Sequence, residues 1–79
     1  MQKNYDMYRL TKKAIEALKN DRHLRRAVAN SMGVGEEAIK ASIAGQYEGR
    51  SIAVHKDGLD TLVDKTGLII KDLREKCVS

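Results

Sequence analysis

Proline, phenylalanine and tryptophan are missing from this 79-residue chain, and cysteine occurs once. Without proline the sequence lacks its strongest helix breaker. The remaining apolar residues are mostly Ala, Leu, Ile and Val at helical spacing, and no run alternates long enough to demand a sheet, so an all-α domain is expected. A lone Cys77 excludes an internal disulfide and fits a reducing cytoplasm. No stretch reads as a signal peptide or as an apolar span of membrane length. At 79 residues the chain is expected to form one domain, with no room for a second.

Charge is unevenly placed. Residues 1–31 carry eight basic side chains against three acidic, while the remainder carries seven against eight, so the overall +4 resides in the first part. A basic half suggests a face that meets a polyanion, nucleic acid being the commonest for a small basic domain, with an ordinary solvated helix surface as the alternative.

Residues 25–45, RRAVANSMGVGEEAIKASIAG, organise the rest. The spacing predicts two short helices meeting at a tight turn, a helix-turn-helix over 22–45. Leu24, Val28, Ala29 and Met32 form the inner face of the first, and Gly33 ends it with a positive φ. Val34 is expected to plug the gap beneath the turn. The second helix starts at Gly35, with Glu36 and Glu37 favouring its dipole, buries Ile39 and Ile43, and leaves Glu37, Lys40, Ala41 and Ala44 outside.

Before this unit, Met7, Leu10, Ala14, Ile15, Ala17 and Leu18 predict a helix from Asp6 to about Lys19, capped by Asn4 or Asp6, with Thr11 on its polar side. Tyr5, Met7 and Tyr8 read as core staples, and Asp21 as the next N-cap. After the unit, residues 46–56 read as a long loop with local order around Ile52, Ala53 and Val54. Asp57 is expected to cap a helix carrying Leu59, Leu62 and Val63 inward, which Gly67 ends. A fifth short helix, ending near Lys76, would turn Leu68, Ile70 and Leu73 inward and Ile69 outward.

The segment VANSMGVGEEAIKASIAG (residues 28–45) is similar to the bihelical unit of phage repressor DNA-binding domains of the Cro and lambda-repressor type, matching at Val28, Ala29, Met32, Gly33, Gly35, Ala41 and Gly45. LVDKTGLIIKDL (residues 62–73) resembles the same family's junction between its fourth and fifth helices. The resemblance spans roughly residues 20–76 and implies a bundle of about five short helices. It also implies a sequence-specific transcriptional regulator, a phage or prophage repressor acting on an operator in double-stranded DNA, with helix 36–44 in the major groove. The corresponding location is the nucleoid in the cytoplasm of a bacterial host cell.

Carried over by position, Arg25 makes a backbone and helix-orienting contact at the start of the second helix, flanked by Arg22 and Arg26 as phosphate clamps. Glu36 and Glu37 occupy the first two recognition positions, with Lys40 and Ala41 one turn on. The pair departs from the family in placing negative charge near phosphates; one of them is expected to read a cytosine amino group and the other to cap the helix. Gln46 and Tyr47 follow in the loop, Tyr47 either on sugar-phosphate or packed on the core. The segment from Gly45 to Gly58 is an insertion, whose Arg50, His55 and Lys56 grip backbone or whose Ile52 and Val54 form a partner surface. Ile69 and Val78 suggest a homodimer contact.

No nucleophile motif, phosphate loop or metal-ligand cluster accompanies His23 or His55, so neither enzyme activity nor a metal, cofactor or small-molecule ligand is expected. The alternative function is a helical protein-interaction module that has kept the fold and turned its third helix toward a protein.

Overall fold

The computed structural model describes residues 8–77. Among them the order is β1 (Tyr8–Leu10), α1 (Lys12–Asn20), α2 (Arg22–Met32), α3 (Glu36–Ile43), a 3-10 turn (Gly45–Tyr47), α4 (Arg50–Ala53), α5 (Lys56–Thr66), α6 (Ile70–Leu73) and β2 (Arg74–Lys76). The chain is mostly helical, as its composition predicts, with one helix more than expected and a small antiparallel sheet in addition.

That sheet corrects the reading of both ends. Residues 8–10 are a strand rather than the first turns of a helix, and residues 74–76 are a strand rather than a helix end, paired in the register Tyr8 with Lys76, Arg9 with Glu75 and Leu10 with Arg74. The cause is Thr11. Its hydroxyl caps α1 by accepting from the Ala14 N–H at 3.3 Å and also donates to the Asp72 carbonyl at 2.7 Å, while its own N–H donates to the Leu73 carbonyl at 3.0 Å. A residue expected on a polar helix face therefore starts the helix and ties it to the far end of the chain. The expected caps Asn4 and Asp6, the staples Tyr5 and Met7, and the Val78 contact lie outside the described residues. Tyr8 is half-buried beneath the Arg74 guanidinium, 4.0 Å from the ring centre, a cation–π contact that adds to the strand pairing.

The bihelical stretch follows its local signals. Asp21 accepts from the Leu24 N–H at 3.1 Å and caps α2. Gly33, at φ 72°, ends α2, and the Val34 N–H reaches back to the Ala29 carbonyl at 2.9 Å, a Schellman closure. Val34 closes this turn with its backbone. Its side chain is 40% exposed and does not fill the gap expected of it. Met32 is half-buried and packs against the core, with Gly58 beside its sulfur.

Residues 45–55 are more ordered than a loop. Glu48 takes a left-handed φ of 53°, unusual for a side-chain-bearing residue, and is held there by three interactions. Its carbonyl accepts from the Leu10 N–H at 2.9 Å, and its carboxylate bridges Arg9 at 3.2 Å and Arg50 at 3.1 Å. Gly49 follows at φ 66°, where a β-carbon would overlap the Leu10 side chain. Helix α4 then buries Ile52 and Ala53 completely. Ile52 is thus a core residue rather than a partner surface, because one turn of helix directs it inward. At the start of α5, His55 is the cap, its Nδ1 accepting from the Gly58 N–H at 3.1 Å, and the expected cap Asp57 stands in the first turn.

A single core joins these elements: Leu10, Ala14 and Leu18 from the first part, Leu24, Val28 and Ala29 from α2, Ile39 and Ile43 from α3, Ile52 and Ala53 from α4, Leu59 and Leu62 from α5, and Leu73. No charged or polar side chain is buried among the described residues, so cohesion comes from apolar packing. Leu73 fills the inward position of the short α6. Ile70, expected inward, is instead exposed at 40%, because the four-residue α6 buries one position and Leu73 takes it, and Ile69 is 59% exposed as predicted.

Candidate nucleic-acid interface

Glu36, in the first turn of α3, sits among three guanidinium groups. Its carboxylate lies 3.0 Å from Arg25, 3.6 Å from Arg26 and 4.0 Å from Arg22, all projecting from the first two turns of α2. The three are not equivalent. The Arg25 side chain is only 13% exposed, and its Nη1 also donates to the carbonyls of Leu18 and Lys19, each at 2.8 Å. It therefore joins the C-terminal end of α1 and the start of α2 to the start of α3. Arg22 and Arg26, at 65% and 57% exposure, keep their guanidinium groups open to solvent and to a ligand.

This arrangement alters the meaning of the acidic start of α3. The Arg25 hydrogen bond holds the Glu36 carboxyl below its ordinary range, against a smaller opposing effect of burial, so Glu36 is charged and neutralised within the protein. Glu36 faces the three arginines of α2. Glu37 stays almost fully exposed, 3.7 Å from Lys40 one turn on. Ala41 and the C-cap residue Ala44 are exposed beyond this pair, so the outer ridge of α3 is short and smooth toward its C-terminal end.

Gln46, Tyr47 and Arg50 come together on one flank of that ridge. With Ala38, Ala41, Ser42 and Ser51 they line an open groove between α3 and the segment that follows it. Tyr47 is 59% exposed and does not pack back on the core. The Ser42 and Ser51 hydroxyls share a hydrogen bond of 2.8 Å across the groove, and the Gly49 N–H donates to the Ser42 carbonyl at 2.7 Å, which fixes the approach of α4 to α3. Arg50 is aimed by Glu48, itself held by Arg9, and Arg9 is fixed in turn by Glu75 at 2.9 Å.

All ten residues singled out from the sequence thus lie on or beside α3, in two clusters: Arg22, Arg25, Arg26 and Glu36 at its start, and Gln46, Tyr47 and Arg50 along its side, with Glu37, Lys40 and Ala41 on the ridge between. His55 is occupied as a helix cap and Lys56 pairs with Asp60 at 3.0 Å. Sequence reasoning missed Glu48, whose effect depends on its left-handed backbone, and Ala38, whose outward position follows from the 3.6-residue period once Ile39 is buried.

Among the described residues no three His, Cys, Asp or Glu side chains are grouped as a metal site, and no helix is long and apolar enough to cross a membrane. Compared with known proteins, the chain matches no family model, no curated protein and no solved structure.

Proposed function

We propose that this chain is a sequence-specific DNA-binding transcriptional regulator of the phage-repressor type, with α3 in the major groove and the start of α2 against the backbone. The observation that carries this reading is the smooth outer ridge of α3 flanked by the open Arg22 and Arg26. An α-helix with its side chains is about 10–12 Å across, matching a groove about 12 Å wide, and the alanines of α3 allow close approach to base edges. The two arginines supply the phosphate contacts that fix register, and Arg50 supplies another from the opposite flank. Neutralisation of Glu36 removes the objection that two bare carboxylates would meet the phosphates. Glu37, exposed beside its 3.7 Å pair with Lys40, has a second carboxylate oxygen to accept from a cytosine amino group.

Discrimination from a surface this small calls for two half-sites, and the exposed Ile69 is the proposed contact between two copies. A protein-interaction module is the second reading, favoured by the exposed Tyr47 beside an alanine-lined groove.

Selection from a pool of random duplexes, at about 50 and 150 mM salt, tests the proposal. Enrichment of a two-fold symmetric motif, lost in the double substitution of Arg22 and Arg26 by Ala, is the expected result. Absence of retention at both salts refutes it and favours the protein partner.

A further inference from the structure

A second groove runs along the other flank of α3, lined by Lys19, Arg25, Lys40, Ile43 and Ala44. Residues 40, 43 and 44 project from the side of α3 opposite residues 38, 41 and 42, so the two grooves bracket the ridge. The charge of the second groove is set by Arg25. Its far wall is the C-terminal end of α1, where unpaired carbonyls carry partial negative charge and repel anions. Both nearby carbonyls, those of Leu18 and Lys19, accept instead from the Arg25 guanidinium, which cancels that repulsion. The ammonium of Lys19 projects from the last turn of α1, exposed and without an ion-pair partner among the described residues. Across the groove Lys40, 52% exposed, stands in the last turn of α3. Two exposed cations and a fixed third thus line the groove over an apolar floor; Arg25 is matched by Glu36 and Lys40 lies 3.7 Å from Glu37, which leaves Lys19 as the surplus charge among the described residues. A groove with this surplus and low-dielectric walls favours an anion.

We propose that this groove seats a phosphodiester of the DNA backbone and that Lys19, on α1 and outside the bihelical unit, is a DNA-binding residue acting with Lys40. The assignment rests on the DNA-binding reading above. A helix lying in the major groove is within reach of both strands, so each flank of α3 meets one backbone, and the Lys19 flank has the complementary charge.

The test is fluorescence anisotropy of a labelled duplex of mixed sequence against the full chain, with KCl varied from about 50 to 200 mM. Wild type is compared with Lys19→Gln, Lys19→Arg and the charge-matched control Lys65→Gln on α5. Lys19→Gln keeps the backbone carbonyl that Arg25 uses, and a thermal melt verifies its fold. Losing one phosphate contact flattens the slope of log K against log salt by about 0.9 and weakens binding about eightfold at 100 mM. Lys19→Arg is expected to restore both, and Lys65→Gln to retain wild-type values. A Lys19→Gln protein that binds with the slope and affinity of Lys65→Gln overturns the groove assignment and leaves the DNA-binding reading standing. A wild type that binds no duplex at 50 mM overturns that reading and the groove assignment with it.

Discussion

Replacing Arg25 by alanine is expected to damage the fold more than any other substitution in the basic cluster. The side chain makes two bonds to carbonyls at the end of α1 and one to Glu36 at the start of α3, and it is largely shielded from water. Hydrogen bonds involving a charged group contribute more than neutral ones, and truncation also leaves two carbonyls and a carboxylate without their partner. Allowing water to reach part of the site, the loss is about 2–3 kcal/mol. For a domain this small each kcal/mol moves the melting midpoint by roughly 4–8 °C, so Arg25→Ala is expected to melt about 10–20 °C below wild type. Arg22 and Arg26 are solvated, and their contacts with Glu36 are long. Alanine at either should change stability by no more than about 0.5 kcal/mol. Thermal unfolding followed by circular dichroism at 222 nm separates the cases. An Arg25→Ala protein that melts within about 3 °C of wild type would refute the assignment of Arg25 as the link between the three helices.

The same pair predicts an acid response. Because the Glu36 carboxyl is depressed in the folded state, its contribution is fully present above the ordinary glutamate value and disappears as pH falls through the depressed one. Midpoints measured from pH 7 to pH 3 should therefore fall more steeply for wild type than for Glu36→Gln, and parallel curves would contradict this. Gly49→Ala combines a left-handed backbone with overlap of the Leu10 side chain, so a loss of about 2–4 kcal/mol is expected in chemical denaturation; a change below about 1 kcal/mol would mean that Leu10 can move aside. Ile69→Lys should leave the melting midpoint within a few degrees of wild type while abolishing any dimer seen by sedimentation, and persistence of the dimer would exclude the α6 surface as its contact.

What was legible in the sequence was what local rules decide. Asp21, Gly33 and Gly35 mark boundaries through interactions within a few residues, and the alternation of buried and exposed positions in α2 and α3 follows from helical period alone. The strands were not legible because three residues carry no usable period, and their pairing joins segments more than sixty residues apart through Thr11 and Asp72. Helix α4 escaped for a related reason. It is a single turn that follows two left-handed residues, one of them a glutamate whose conformation depends on arginines in β1 and α4. Sequence reasoning places Arg25 at the DNA backbone and Glu36 at a base or a helix cap, and does not pair them. Their eleven-residue separation becomes a 3.0 Å contact only through the crossing of α2 and α3, which no spacing rule encodes.

The pairing of β1 with β2 also determines how this domain would sit within any larger assembly. Tyr8 and Lys76 are cross-strand neighbours, so the polypeptide enters and leaves at the same corner. A short linker would close the described residues into a ring, because their two ends are held side by side by the strand pairing. Inserted into another protein, the domain would act as a bead on a loop, spreading its host by little more than the gap between two adjacent strands.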